Sequence, residues 1–376
     1  MKTILVTIQD NSINSTVRKL IQTLMEKKSF QAVLAPVRIP GGDSFAYELM
    51  SDKAKIEQCE PLPPIMPIPG ARVLKELTRK GEPDFKILCI MHPCEIRAAV
   101  ELAKLRQVNL NNITFMSFDC PGAFPTKDYI TEPKKYDISF DKTLKTFEEE
   151  GFRTSCTTCI NFSHDGIRTD IHIANLSMAE GKLMLQALSA KGEECLSAID
   201  MELTDDTVNR QEKINSVRKK REANREKLFS EINSQVKGID NLDIYFAECI
   251  NCHNCMRVCP ICYCRQCFFD SADSKRVETG NYLSRARKKG GIAFPTDTLL
   301  FHIGRMSHMN LSCIGCGACE DACAMDVPVA QIFNFMADKL QKMFEYIPGR
   351  NIEEKIPVLT YTEDEFHEYE DAKEKP

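Results

Sequence analysis

Short apolar runs alternate with amphipathic stretches through the first half of the chain, the rhythm of strands and helices stacked in layers. The pattern predicts strands over residues 3–8, 32–37, 86–91 and 113–118. It predicts helices over 15–27, 71–79 and 95–107, the last with Ile96, Val100, Ala103 and Leu105 near helical spacing. Between them the run PLPPIMPIP at 61–69 can only be extended or turned, because proline fixes φ and removes a donor. Residues 205–236 are charge-dense, with Val208, Ile214, Val217, Leu228, Ile232 and Val236 among their sparse apolar positions. This stretch reads as a long surface helix or helical hairpin, its basic run 218–221 a solvated face. A further amphipathic segment spans 329–346.

Length and composition add bounds to this outline. With 376 residues, 43% hydrophobic and 27% charged, the chain can bury an ordinary core and is expected to divide into more than one unit. The expected division is 1–204, a mixed α/β domain; 205–240, a charged helical connector; 241–346, a cysteine-rich domain; and 347–376, an acidic tail. No run of about 18 apolar residues occurs, and the N-terminus MKTILVTIQDNS has no secretory h-region, so a cytoplasmic chain without membrane insertion is expected. Residues 351–376 hold nine Asp/Glu against three Lys, which exceeds the formal charge of −5 for the whole chain. The remainder is near neutral, and nothing points to nucleic acid.

Cysteine changes the picture. There are 18 in a chain with no export signal, so metal binding is favoured over a disulfide framework. Two runs, Cys249-Ile-Asn-Cys252-His-Asn-Cys255-Met-Arg-Val-Cys259 and Cys313-Ile-Gly-Cys316-Gly-Ala-Cys319-Glu-Asp-Ala-Cys323, share the ferredoxin spacing C-x2-C-x2-C-x3-C. Three cysteines on one tight loop can wrap three irons of a cubane, while the fourth points to the other cluster. Cys249, Cys252, Cys255 and Cys323 are therefore expected to hold one 4Fe-4S cluster, and Cys313, Cys316, Cys319 and Cys259 a second. A pair of zinc sites would normally use separated C-x2-C knuckles, which explains a duplicated four-cysteine run less well.

The ten other cysteines divide by context. Cys89 and Cys195 read as small core hydrophobes. Cys156 and Cys159 form a C-x2-C far upstream, and Cys262, Cys264 and Cys267 form C-x-C-x2-C directly after the first run. Clustered free thiols are an oxidation liability unless metal occupies them. A third cluster is expected on Cys156 and Cys159, with partners from Cys59, Cys120, Cys262, Cys264 or Cys267. A basic stretch at 275–289 could dock an acidic electron carrier, or be a solvated loop. No nucleophile, base and orienting group can be assembled, and His92 and His164 read as structural.

Residues 248–268 (ECINCHNCMRVCPICYCRQCF) and 305–334 (RMSHMNLSCIGCGACEDACAMDVPVAQIFN) resemble the C-terminal half of archaeal-type formate dehydrogenase beta subunits, within the coenzyme factor-420 hydrogenase/dehydrogenase beta subunit family. Upstream, 92–103 (HPCEIRAAVELA), 119–122 (DCPG) and 151–160 (GFRTSCTTCI) resemble the family's blocks in the same order. The resemblance implies an α+β chain: an N-terminal mixed α/β domain of the deazaflavin-hydrogenase beta-subunit type, then a bacterial-type two-4Fe-4S ferredoxin domain. It also implies FAD, hydride exchange with a deazaflavin, and electron flow through clusters to a catalytic subunit. Where the family has a glycine-rich loop this chain has QDNSINSTV at 9–17, and past the C-x2-C it has TDIHIANLSM at 169–178, without glycine. The expectation is therefore an electron-transfer subunit working with dehydrogenase, hydrogenase or heterodisulfide-reductase-like subunits, or with ferredoxin. Its alternative is an FAD-containing subunit exchanging hydride with a deazaflavin or NAD(P); a zinc-stabilised scaffold is the third reading.

Overall fold

The computed structural model describes residues 2–27, 29–148, 150–177, 181–197, 199, 208–265, 267–270 and 297–361. The basic stretch 275–289 lies outside the described residues, as does the acidic tail beyond 361. Seven strands form one mixed sheet: β1 (Thr3–Thr7), β2 (Ala32–Arg38), β3 (Phe45–Met50), β4 (Ile87–Ile90), β5 (Ile113–Phe118), β6 (Ile171–Ala174) and β7 (Lys182–Ala187). Their spatial order is β1-β7-β6-β5-β4-β2-β3. The four central strands β2, β4, β5 and β6 run parallel, and antiparallel pairs close both edges. The sheet is mixed and the chain α+β.

The strand sequences follow from this placement. Every residue of β4 (ILCI) and β5 (ITFMSF) is buried, as expected of parallel strands covered on both faces. Alternate side chains serve two cores. Leu88, Ile90, Met116 and Phe118 join the core under helix α1 (Ile13–Glu26). Ile87, Cys89, Ile113 and Phe115 join a second core with helices α2 (Gly70–Leu77) and α3 (Pro93–Lys104). That second core continues without a break through Cys255, Cys259, Phe301 and Phe333, so the cysteine-rich segment packs directly on the sheet's helical layer.

The helices that position the cysteines follow along the chain: α4 (Thr154–Thr157), α5 (Val208–Gln235), α6 (Asn254–Val258), α7 (Asp297–Met309), α8 (Ala318–Asp321) and α9 (Val329–Met343). Helix α5 is 28 residues long and matches the charge-dense stretch. Its basic run is only in part a solvated face, with Lys219 and Lys220 exposed and the two arginines turned inward. Arg218 pairs with Asp165 at 3.0 Å, and Arg221 is buried at 1% exposure, donating to the Pro121 carbonyl at 2.6 Å. Arg210 is also buried, held by the Asp119 carboxylate. These arginines lock α5 onto the end of β5. No helix among the described residues is long and apolar enough to cross a membrane.

Candidate metal centres

The carboxyl ends of β4 and β5 lie side by side, and each is followed by a cysteine. After β4, His92 starts α3 with a capping box in which Glu95 reaches back to the His92 amide. Glu95 is fully buried and also accepts from Tyr47 Oη at 2.6 Å, the Gly70 amide at 2.5 Å and His92 Nδ1 at 2.9 Å. Burial alone would raise its pKa, but these donors hold it below the ordinary carboxylate value. The network fixes the first turn of α3, and with it Cys94.

After β5 comes Asp119-Cys120-Pro121-Gly122. Gly122 sits at φ 141°, and a Cβ there would meet Phe152 at 2.8 Å and the Cys156 Cβ at 3.1 Å. Only glycine permits so close an approach of the α4 turn. Arg221 ties the two loops together, donating to the carbonyls of Pro121 and of Cys159, the latter at 3.3 Å. Cys94, Cys120, Cys156 and Cys159 thereby come near one another, with Cys316 also beside Cys94. Burial pushes the Cys94 thiol well up, and Cys316, Glu95, Cys120 and Cys159 push it further. Burial likewise raises Cys120, reinforced by Cys156 and Cys159 and opposed by Arg221.

The two ferredoxin-spaced runs fold as loops leading into α6 and α8, and their thiols sort across the runs. Cys255 is pushed up to about 11 by burial; Arg305 opposes the rise, while Cys249, Cys252 and Cys323 add to it. Cys313 is pushed up to about 11 and Cys316 to about 12, in each case by burial first and then by Cys259. Cys319 is raised by burial, Cys259, Cys316 and Cys313. By these neighbours Cys255 groups with Cys249, Cys252 and Cys323, and Cys259 with Cys313, Cys316 and Cys319. The second set lines a small void closed by Ile314 and Phe333. A hydrogen bond from Cys262 pulls the Cys259 thiol down and raises Cys262 itself.

The second and upstream sets are in direct contact. Gly317, at φ 75°, would place a Cβ 2.7 Å from the Ser155 side chain, so the second run rests against α4. Asn334 bridges the same seam, with its amide nitrogen 3.5 Å from Ser155 Oγ and its Oδ1 3.9 Å from Cys313 Sγ.

These sets suit iron-sulfur clusters in several respects. Each offers four cysteines, the donor set of a cubane. Backbone amides point at sulfur: Asn251 N lies 3.4 Å from Cys249 Sγ, and Ala123 N lies 3.4 Å from Cys156 Sγ. Among the described residues no group of three or more His, Cys, Asp or Glu that could hold a metal ion is found.

Several of the partners expected for Cys156 and Cys159 stand elsewhere. Cys59 is fully buried in the core beneath α1, its thiol raised to about 12 by burial and its carbonyl accepting from Arg18. Cys262 faces Met309, Cys267 faces Met256, and Cys264 is exposed. These four do not join Cys156 and Cys159; Cys120 does, and so does Cys94, which was not among the expected partners. The signal for Cys94 was present in HPCE and DCPG, each directly following an apolar strand-like run. Cys89 and Cys195 lie in the core, as their isolation along the chain suggests. His92 caps α3, and His164 joins the Asp119 network through Ser163 and Arg210.

No family model matches the chain. It is 27% identical, over 406 aligned positions covering 96% of the chain and 99% of the relative, to the F420-dependent formate dehydrogenase subunit beta of Methanocaldococcus jannaschii. The chain is similar over most of its length to F420-dependent formate dehydrogenase beta subunits. It is also 28% identical over 311 positions, 73% of the chain and 76% of the relative, to the F420-dependent formate dehydrogenase 1 subunit beta of Methanococcus maripaludis. Among solved structures, a chain of the F420-reducing [NiFe] hydrogenase complex from Methanosarcina barkeri aligns with a TM-score of 0.47 and 12% identity, covering 64% of this chain and 94% of that one.

Proposed function

We propose that this chain is an electron-transfer subunit of a multi-subunit redox complex of the formate dehydrogenase or hydrogenase/heterodisulfide-reductase type, holding 4Fe-4S clusters on three cysteine sets. The observation that carries this reading is the gathering of twelve cysteines into three adjoining sets of four. Cys249, Cys252, Cys255 and Cys323 hold one cluster; Cys259, Cys313, Cys316 and Cys319 hold the middle one; Cys94, Cys120, Cys156 and Cys159 hold the third. Clusters bound at these sets supply one-electron transfer and no bond chemistry. The protein's part is to bury the thiolates, aim amides at sulfur and keep the sets adjacent. The named activity of the relatives supports partnership with a catalytic dehydrogenase subunit.

The FAD-containing alternative draws on those same relatives, which are named for F420 dependence. Against it, α1 carries an ordinary N-cap in place of a glycine-rich loop: Ser12 Oγ accepts from the Ser15 amide at 3.3 Å, and in the loop before it the Gln9 amide donates to Thr16 Oγ1 at 2.9 Å.

Iron and acid-labile sulfide analysis of the purified full chain tests the reading. About twelve irons per chain are expected, with about eight if only the ferredoxin-spaced runs are loaded. Zinc without iron would end it, and stoichiometric flavin released on denaturation would move the assignment to the alternative.

A further inference from the structure

Of the buried arginines that face the cysteine sets, Arg97 and Arg221 donate to backbone carbonyls, which leaves two. Each stands between two adjacent sets. Arg305, on α7, is 2% exposed. Its Nη1 donates to Cys255 Sγ at 3.0 Å and its Nη2 to the Cys255 carbonyl at 3.2 Å. The same guanidinium acts on Cys262, Cys259 and Cys319, so it faces the first and middle sets at once. It is packed over the rings of Phe301 and Phe333, 5.5 and 4.8 Å from their centroids. Among the described residues it has no carboxylate partner, and its Nε has no acceptor.

Arg153, at the start of α4, holds the matching place on the other side. It is 8% exposed and acts on Cys156 and Cys94 of the upstream set and Cys316 of the middle set. Its Nη2 lies 3.9 Å from Cys156 Sγ, and Asp321 lies 3.6 Å from its Nη1. Two of its nitrogens lack hydrogen-bond partners. A buried cation is costly unless an anion faces it, and Asp321 meets that need only in part at Arg153 and not at Arg305. Here the facing groups are thiols, which become anionic when they bind iron.

We propose that Arg305 and Arg153 set the reduction potentials of the relay, each raising the two centres it stands between, so that the middle centre is raised by both. The inference rests on the iron-sulfur reading above. Adding one electron to a centre breaks no bond and adds one negative charge, so a fixed cation nearby favours the reduced form. Hydrogen bonding to a cysteine sulfur acts in the same direction. Burial keeps water from screening either effect.

EPR-monitored redox titration of the full chain as isolated, with dithionite as the one-electron donor and iron measured on each sample, tests the assignment. Arg305→Met is expected to lower two of three midpoint potentials at unchanged iron content, and the unmoved centre is the one that disappears in Cys94→Ala. Arg153→Met is expected to lower a different pair, leaving the Cys249 set unmoved, by less than Arg305→Met because Asp321 already offsets part of its charge. Arg305→Lys keeps the charge and should restore the middle centre toward the wild-type potential. Full iron with unmoved midpoints overturns the role of the arginines alone; wild-type protein without iron overturns the reading beneath it. If Arg305→Met fails to retain iron, Arg305→Lys and Arg153→Met decide, and unmoved midpoints in Arg153→Met with full iron overturn the proposal.

Discussion

Cys94→Ala is expected to remove about four irons per chain and one EPR-active centre, while Cys59→Ala leaves the iron count unchanged. The contrast is informative because both thiols are single cysteines of the α/β region, and both are raised by burial. What separates them is company. The Cys94 thiol feels Cys120, Cys159 and Cys316, whereas the Cys59 thiol feels Arg18 and Glu60. A core cysteine contributes packing, so Cys59→Ala should lower stability modestly without touching metal. No replacement ligand stands at hand, because Cys262 and Cys267 face Met309 and Met256 and Cys264 is exposed. Iron and sulfide assays on both variants, with EPR of the reduced samples, check the expectation. Retention of all iron in Cys94→Ala, or equal loss in Cys59→Ala, would sink the upstream centre.

The eight ferredoxin-spaced cysteines stand out in the sequence because the chemistry proposed for them is local: spacing along a loop would set which irons they can reach. The crossing of Cys259 and Cys323 to opposite sets follows from that same spacing. Cys94 and Cys120 were harder, since 26 residues separate them and nothing local links them. Their meeting depends on the parallel register of β4 and β5, in which Ile90 pairs with Met116 and both strands deliver their next residues to one edge. Strand β7, KLMLQA, carries good helix formers and becomes a strand only through its partners β1 and β6. Strand β6 holds His172, a polar residue buried at 0% exposure, which breaks the apolar pattern. The burial of Arg221 was likewise hidden. Its acceptors are carbonyls of Cys120, Pro121 and Cys159, about a hundred residues or fewer upstream, and carbonyls leave no trace in a sequence.

Asp119→Asn is expected to destabilise the protein by about 3–5 kcal/mol, the usual cost of leaving one partner of a buried ion pair alone. Asp119 is 0% exposed, and its two oxygens accept from His172 Nε2 at 3.0 Å, Ser163 Oγ at 2.6 Å, the Leu176 amide at 3.1 Å and both Nη atoms of Arg210. Burial would raise this carboxyl, but His172 and Arg210 hold it well below the ordinary value. Its folded pKa therefore lies below its unfolded one, so its contribution is full above about pH 4 and is lost as pH falls further. His172 is lowered by burial and His164 to about 4 by burial and His172, so the unfolded chain takes up their protons first. Stability should begin to fall as pH drops below about 6.5, through the histidines, and fall again below about 4, through Asp119. Thermal midpoints of wild type and Asp119→Asn across that range check both parts. Asp119→Asn with Arg210→Met should recover part of the loss, because the second change removes the stranded cation. A midpoint unmoved in Asp119→Asn would refute the buried pair. Since Cys120 is the next residue and Arg210 belongs to α5, the same network sets where that cysteine stands, and Asp119→Asn should also weaken iron retention at the upstream set while leaving the other two loaded.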